Sequence, residues 1–153
     1  MIKLSTKGRY GTRLMLNLAL HYQTGNEAVI LRNIAGEEEI SIRYLEQIVI
    51  PLKINRLVKS VRGAGGGYSL TRKPSQVKVG EILEALEGPI CLVDCINDPD
   101  LCGRLPLCAT FEIWKAGSEL LKGYFDKITL QDLLDIAQKK QKKSKEKAKP
   151  KNH

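Results

Sequence analysis

All four cysteines of the chain fall between positions 91 and 108. Cys91, Cys95, Cys102 and Cys108 are separated by three, six and five residues. Thiolates are soft ligands, so such a cluster suits zinc or an iron–sulfur group, and it equally suits thiol redox chemistry. The spacing is neither the paired CxxC of a zinc ribbon nor a ferredoxin run. Taken alone, it leaves those readings open, together with small buried hydrophobes. Asp94, Asp98 and Asp100 sit among the thiols, and Gly88, Pro89, Pro99, Gly103 and Pro106 keep the segment loop-like. The only histidines are His21, near the end of a first helix, and His153, in the tail. They assemble no Ser/His/Asp or Cys/His catalytic set, and the expectation is a protein that is not an enzyme.

A second set of residues has the chemistry to read DNA. Arg43 can bind guanine with two hydrogen bonds, and Gln47 can do the same with adenine. Ser41 and Tyr44 can reach phosphates or base edges. Glu46 can accept from a cytosine amino group, or repel phosphates and so act as a filter. The same types also occur on any solvated helix face, so this set needs a context. Lys59, Arg62 and the glycine-rich run containing Gly65 and Gly66 provide one. They place cations beside a backbone that can come close to a partner, and Arg62 suits a narrow minor groove. A nucleotide loop is the weaker reading, because there is no GxxxxGK[ST] and no helix starts at the glycines.

Positioning these residues requires a particular order of elements. Tyr10, Leu14, Met15, Leu18, Ala19 and Tyr22 recur at helical spacing, which predicts a helix over about 6–22, capped near Ser5 or Thr6. Ala28 to Leu31 predicts a short extended piece, followed by a short helix over about 32–39. Ser41 caps the next helix, whose apolar face is Ile42, Leu45, Ile48 and Val49. Pro51 is expected to end or kink it near Ile50. Residues 57–62 and 68–71 predict a hairpin around the glycines. Helix, turn, helix and hairpin in that order describe a winged helix-turn-helix. A fourth helix from Val79 should stop at Gly88-Pro89. Phe111, Trp114, Ser118, Leu121, Phe125 and Ile128 then follow heptad-like steps on a long helix, with Ala116, Gly117 and Ser118 small enough for a close partner helix. Thr129 caps a last helix through Leu133, Leu134 and Ile136.

Charge divides the chain more sharply than its net +8 suggests. Residues 1–78 carry +8, residues 79–137 carry −7 and residues 138–153 carry +7. A basic half that attracts polyanions is thus joined to an acidic segment with another task. Three regions are expected: a DNA-binding region over 1–78, a helix, cysteine loop and dimerisation helix over 79–137, and a disordered Lys-rich tail over 138–153. No apolar run approaches the ~20 residues of a membrane span, and the N-terminus lacks a signal-peptide pattern. The expected location is the cytoplasm, with no membrane partner.

YLEQ at 44–47, SVRGAGGGYSL at 60–70, KLSTKGRY at 3–10 and ITLQDLL at 128–134 resemble the winged-helix family that contains the iron–sulfur assembly regulator IscR, with NsrR and CymR as relatives. The resemblance covers about residues 1–137. It implies a homodimer in which the helix near 109–127 crosses its partner. It implies that Ser41, Arg43, Tyr44 and Gln47 face the major groove, that Arg62 enters the minor groove, and that Glu46 helps select operators. It also implies that Cys95, Cys102 and Cys108 hold a 2Fe–2S cluster. The fourth ligand departs from the pattern: Phe111 stands where IscR-like members have a His, and Lys7-Gly8-Arg9 where NsrR-like members have an Asp. Cys91 is the first substitute and a loop Asp the next. Glu39 and Arg56 replace two turn glycines, and Asn55 is expected to take over the left-handed position from the second.

The expected fold is mainly α with a small β-hairpin wing, a winged helix-turn-helix plus a long dimerisation helix. The expected function is a homodimeric, sequence-specific transcriptional regulator, a repressor of a double-stranded DNA operator, gated by an iron–sulfur cluster. Two rivals remain: a small iron–sulfur or thiol redox protein, and a cluster-free regulator controlled by a partner protein.

Overall fold

The Ser5 side chain starts the first helix by accepting from the Gly8 N–H at 3.1 Å, and Glu87 accepts in turn from the Ser5 backbone N–H and hydroxyl. A carboxylate here satisfies orphan donors and complements the positive end of the helix dipole. This computed structural model describes residues 2–25 and 28–148. The elements are α1 (Thr6–Gln23), α2 (Leu31–Glu38), α3 (Ile42–Ile54), β1 (Val58–Val61), β2 (Gly67–Leu70), α4 (Val79–Glu87), α5 (Ala109–Lys127) and α6 (Leu130–Ala148). β1 and β2 pair antiparallel, with Val58 opposite Leu70 and Val61 opposite Gly67. Val29 joins the far side of β2 through paired 2.8 Å hydrogen bonds with Tyr68. The fold is the expected one of helices around a hairpin wing.

One core holds these elements. Leu14, Met15 and Leu18 of α1 meet Ile34 of α2, Leu45, Ile48 and Leu52 of α3, and Ile82 of α4. Each such side chain contributes about 1.5–3 kcal/mol on burial. The charge boundary at residue 78 is not a packing boundary, because Leu130 and Leu134 of α6 are fully buried in the same core. The chain leaves after α4, runs through the cysteine loop and α5, and returns. Its return is tied by two 2.8 Å bonds, Val79 N–H to Ile128 O and Leu130 N–H to Val77 O.

The turn of the helix-turn-helix is set by polar contacts between α1 and α2. Arg13, Asn17 and His21 lie four residues apart, on one stripe of α1. Arg13 pairs with Glu38, Asn17 donates to both Glu37 and Glu38, and His21 Nε2 lies 3.0 Å from Glu37. The Asn17 bond, and then His21, hold the Glu37 carboxyl below its ordinary range. His21, expected to cap α1 or face solvent, therefore bridges two helices.

Four local expectations change. α3 does not stop near Ile50 but runs three residues past Pro51. Pro51 removes one donor, yet the fully buried Leu52 holds the last turn against the core. The left-handed residue after α3 is Arg56, at φ 57°, while Asn55 stays at φ −83° and its side chain donates to Pro51 O. Glu39 is likewise left-handed, at φ 55°. Each is followed by a bond back into its helix, Ile40 N–H to Ala35 O and Leu57 N–H to Leu52 O. These closures, with Ile40 and Leu57 buried, outweigh a cost of about 1–2 kcal/mol for each non-glycine residue in that conformation.

The third change concerns α5. Its heptad stripe packs largely within the chain: Ser118 is only 3% exposed and Phe111, Leu121, Phe125 and Ile128 are half-buried, while Trp114 of the same stripe is 42% exposed. The opposite side leaves Ile113, Leu120 and Tyr124 in solvent. The fourth concerns the tail, which is helical through Ala148 rather than disordered from 138. Lys, Gln and Ala favour helix once Leu130 and Leu134 have anchored its start. Residues 149–153, including His153, lie outside the described residues.

Candidate nucleic-acid interface and cysteine loop

α3 presents its polar stripe because the opposite one is buried. Leu45, Ile48, Val49 and Leu52 are in the core, which leaves Ser41, Arg43, Glu46 and Gln47 exposed. Ser41 caps the helix, its oxygen accepting from Tyr44 N–H at 3.2 Å. Its hydroxyl proton remains available to an acceptor. Tyr44 is half-buried, and its ring stands edge-on to Tyr10 of α1 at 5.8 Å. This contact fixes α3 against α1 and brings Arg9 near, 5.9 Å from the Tyr10 ring. Arg9 was missed in the sequence because nothing in its spacing ties it to α3. Ile50 was missed too. It is exposed, and at steps of four and three it continues the stripe of Arg43 and Gln47. An apolar residue there suits a thymine methyl group.

The wing glycines serve different ends. A Cβ on Gly66 would lie 2.5 Å from Val61 O, and one on Gly67 2.4 Å from the Val29 backbone. Gly67 also has φ +149°. Both are required by the protein's own packing. A Cβ on Gly65 would meet nothing within 4 Å, so only Gly65 is free of an internal demand for glycine at the wing tip among this run. Lys59 and Arg62 are exposed, and neither forms an ion pair among the described residues. Arg43 is in the same state.

The cysteine loop follows α4 in the chain and is tied to α5. Three single-turn helices, Asp94–Ile96, Pro99–Leu101 and Leu105–Leu107, carry the chain between its thiols. Cys91, Cys95 and Cys108 are half-buried and Cys102 is exposed. Asn97 Nδ2 donates to Cys91 Sγ at 2.8 Å. Cys108 is the N-cap of α5. The Thr110 hydroxyl and then the Phe111 N–H hold its thiol below the ordinary range. Leu92 pins the start of the loop: its N–H donates to Ser118 Oγ at 2.9 Å, and Ser118 donates to Trp114 O. Leu92 packs against Gly117, where a Cβ would lie 3.0 Å from its side chain. Gly117 and Ser118, two of the small residues noted in the sequence, seat the start of the loop.

Four thiols in an irregular loop are suitable donors for an iron–sulfur group. Among the described residues, however, no three Cys, His, Asp or Glu side chains gather at metal-binding distance. The donor chemistry fits, and the arrangement itself selects no ligand set. Nor is any described helix long and apolar enough to cross a membrane.

Comparison with known proteins places the chain and its fold in a family. The Rrf2 family model, described as iron-dependent transcriptional regulator, matches residues 4–136. The HTH-type transcriptional regulator CymR of Bacillus subtilis is 40% identical over 132 residues, spanning 86% of this chain and 89% of that protein. Its structure, described as that of the global cysteine regulator, superposes with a TM-score of 0.73 over 89% of this chain and 98% of that one. The structure of T. potens IscR has a TM-score of 0.71 at 38% identity, over 89% and 88% of the two chains. The redox-protein rival gives way to these findings: the chain belongs to the Rrf2 family and is a transcriptional regulator, not an enzyme.

Proposed function

We propose that the chain is a homodimeric repressor that binds a specific operator in the cytoplasm, and that its cysteine loop gates it through a 2Fe–2S cluster. The observation that carries the DNA reading is the exposed, unpaired Arg43 and Gln47 on one stripe of α3, held on the same core as the Arg62 wing. In this reading Arg43 and Gln47 meet base edges, with Ser41 and Tyr44 beside them. Glu46 selects among operators, and Arg62, Lys59, Gly65 and Gly66 form the wing contact. Two copies joined along α5 would read two half-sites. Arg62→Ala should weaken operator binding by about 1–3 kcal/mol in an anisotropy titration. A loss no greater than that of an ordinary phosphate contact would remove the groove-reading role.

The iron–sulfur reading draws on Cys95, Cys102 and Cys108, on the family's description as iron-dependent, and on the likeness to IscR. These three thiols would hold the cluster, with Cys91 as fourth ligand. When bound, the group supplies a redox change or its own loss as the signal. The chain's part is mechanical: the loop is seated on α5 at Leu92 and again at Cys108, so a rearranged loop acts on the helix through which the copies would meet. A second reading, a cluster-free regulator governed by a partner protein, is favoured by Phe111 at the fourth-ligand position and by the likeness to CymR. Protein purified without oxygen decides between them. About two irons and two sulfides per chain, with visible charge-transfer bands, are expected. The combined Cys95→Ala, Cys102→Ala and Cys108→Ala variant should lose both and keep its helical circular dichroism. A colourless protein that takes up neither iron nor sulfide on reconstitution would leave the cluster-free reading.

A further inference from the structure

The wing and α6 are both neighbours of the turn at 74–76, and each carries exposed cations. An open groove of about 780 Å³ runs along the outer side of the hairpin, lined by Lys59 and Ser69 of the wing, Lys73 and Gln76 after it, and Tyr22 at the end of α1. α6 packs on both α1 and the 74–76 turn that border this groove. Gln138 of α6 donates to Gln23 at the end of α1, at 2.9 Å. Directly after this bond the helix carries six lysines and one acid, Glu146, between 139 and 147. All six are exposed, and none pairs with a carboxylate among the described residues, although the middle of the chain is acidic. Lys140, Lys143 and Lys147, at steps of three and four, share one side of the helix.

We infer that this surface binds the phosphate backbone of DNA flanking the operator, so that α6 acts as a second, sequence-independent DNA contact. The inference rests on the DNA-binding reading above. Three observations favour duplex DNA over other polyanions. Lys59 of the wing, part of the proposed DNA contact, lines the groove bordered by α1 and the 74–76 turn, and α6 packs on both. Its lysines are point charges without aromatic neighbours between 139 and 148, which suits phosphates and not stacked single-stranded bases. A helix holds those charges in a fixed row, where a coil would scatter them.

The test is a salt titration of the full-length chain on a 40-bp random-sequence duplex, read by fluorescence anisotropy. Combined Lys139→Gln, Lys140→Gln, Lys142→Gln and Lys143→Gln should flatten the slope of log K against log salt. Every phosphate that is no longer neutralised takes ~0.9 off that slope, and at least two such phosphates are expected. Affinity near 0.1 M salt should fall roughly tenfold or more. Lys73→Gln should flatten the slope by about one phosphate's share. Gln keeps the helix, and unchanged circular dichroism checks this. The same four positions changed to Arg keep the charge and should keep the slope. An unchanged slope in the Gln variant, with wild-type binding intact, overturns this inference alone. Failure of the wild type to bind the duplex even at low salt overturns both it and the DNA-binding reading.

Discussion

Leu120→Asp should convert a dimer into a folded monomer. Leu120 is 75% exposed on a helix whose neighbours on that side, Ile113 and Tyr124, are 64% and 61% exposed. Three large apolar residues at steps of seven and four form a stripe that water alone does not favour. In a dimer that stripe is covered, and an uncompensated carboxylate there costs several kcal/mol. In the isolated chain the new Asp sits in solvent and asks nothing of the core. Sedimentation equilibrium should therefore give half the wild-type mass, with helical circular dichroism unchanged. Affinity for an operator with two half-sites should drop by ~10²–10⁴, because the second half-site is no longer presented by a linked copy. A variant that still sediments as a dimer would move the interface off this side of α5.

Gly67→Ala should cost about 2–5 kcal/mol, combining strain at a conformation that L-residues avoid with the shift needed to relieve an overlap. The overlap is with backbone, not with a flexible side chain: the added Cβ would sit 2.4 Å from both C and O of Val29. Val29 and Tyr68 exchange two hydrogen bonds, so the shift loosens the segment at Val29 from the wing. The loss is a large share of the ~5–15 kcal/mol that holds a domain together. Chemical denaturation should show it as a lower midpoint. Gly65→Ala is the matched control, since its Cβ meets nothing. It should leave the midpoint within ~0.5 kcal/mol of wild type. If the wing tip approaches DNA closely, Gly65→Ala will nonetheless weaken binding. Equal midpoints for the two variants would contradict the close approach at Gly67.

What the sequence made legible was decided by periodicity and capping. α1, most of the core face of α3 and the hairpin follow from Leu14, Leu18, Leu45, Ile48 and the glycine run, because local pattern and tertiary burial agree there, whereas Ile42, expected on that face, is 40% exposed. Of the two outcomes expected at Pro51, an end to the helix does not occur, because the buried Leu52 holds the last turn. Asn55 and Arg56 exchange roles because the closing bond from Leu57 fixes which residue must be left-handed. α5 is the instructive failure. Its strongest heptad stripe packs mostly at home, with Trp114 left 42% exposed, and the weaker pattern of Ile113, Leu120 and Tyr124 is the one fully open. Periodicity identifies a buried side and does not say what buries it. The exposed side chains of the DNA surface were legible by type. Arg9 and Ile50 were not: Arg9 is linked to α3 only through the Tyr10–Tyr44 contact, and Ile50, though at helical spacing from Arg43 and Gln47, is apolar in type.

The loop that carries the thiols begins and ends on the same helix. Leu92 is fastened at Ser118, and Cys108 opens α5 ten residues earlier. These two anchor points are about 15 Å apart along the helix axis. The loop is therefore strung along α5 like a bowstring on its stave. Tightening or slackening it loads that one helix lengthwise, over half its span, before any force reaches the wing. Under the gating proposed above, a chemical event among the thiols would be delivered to the relation between two copies, leaving each reading head internally unchanged.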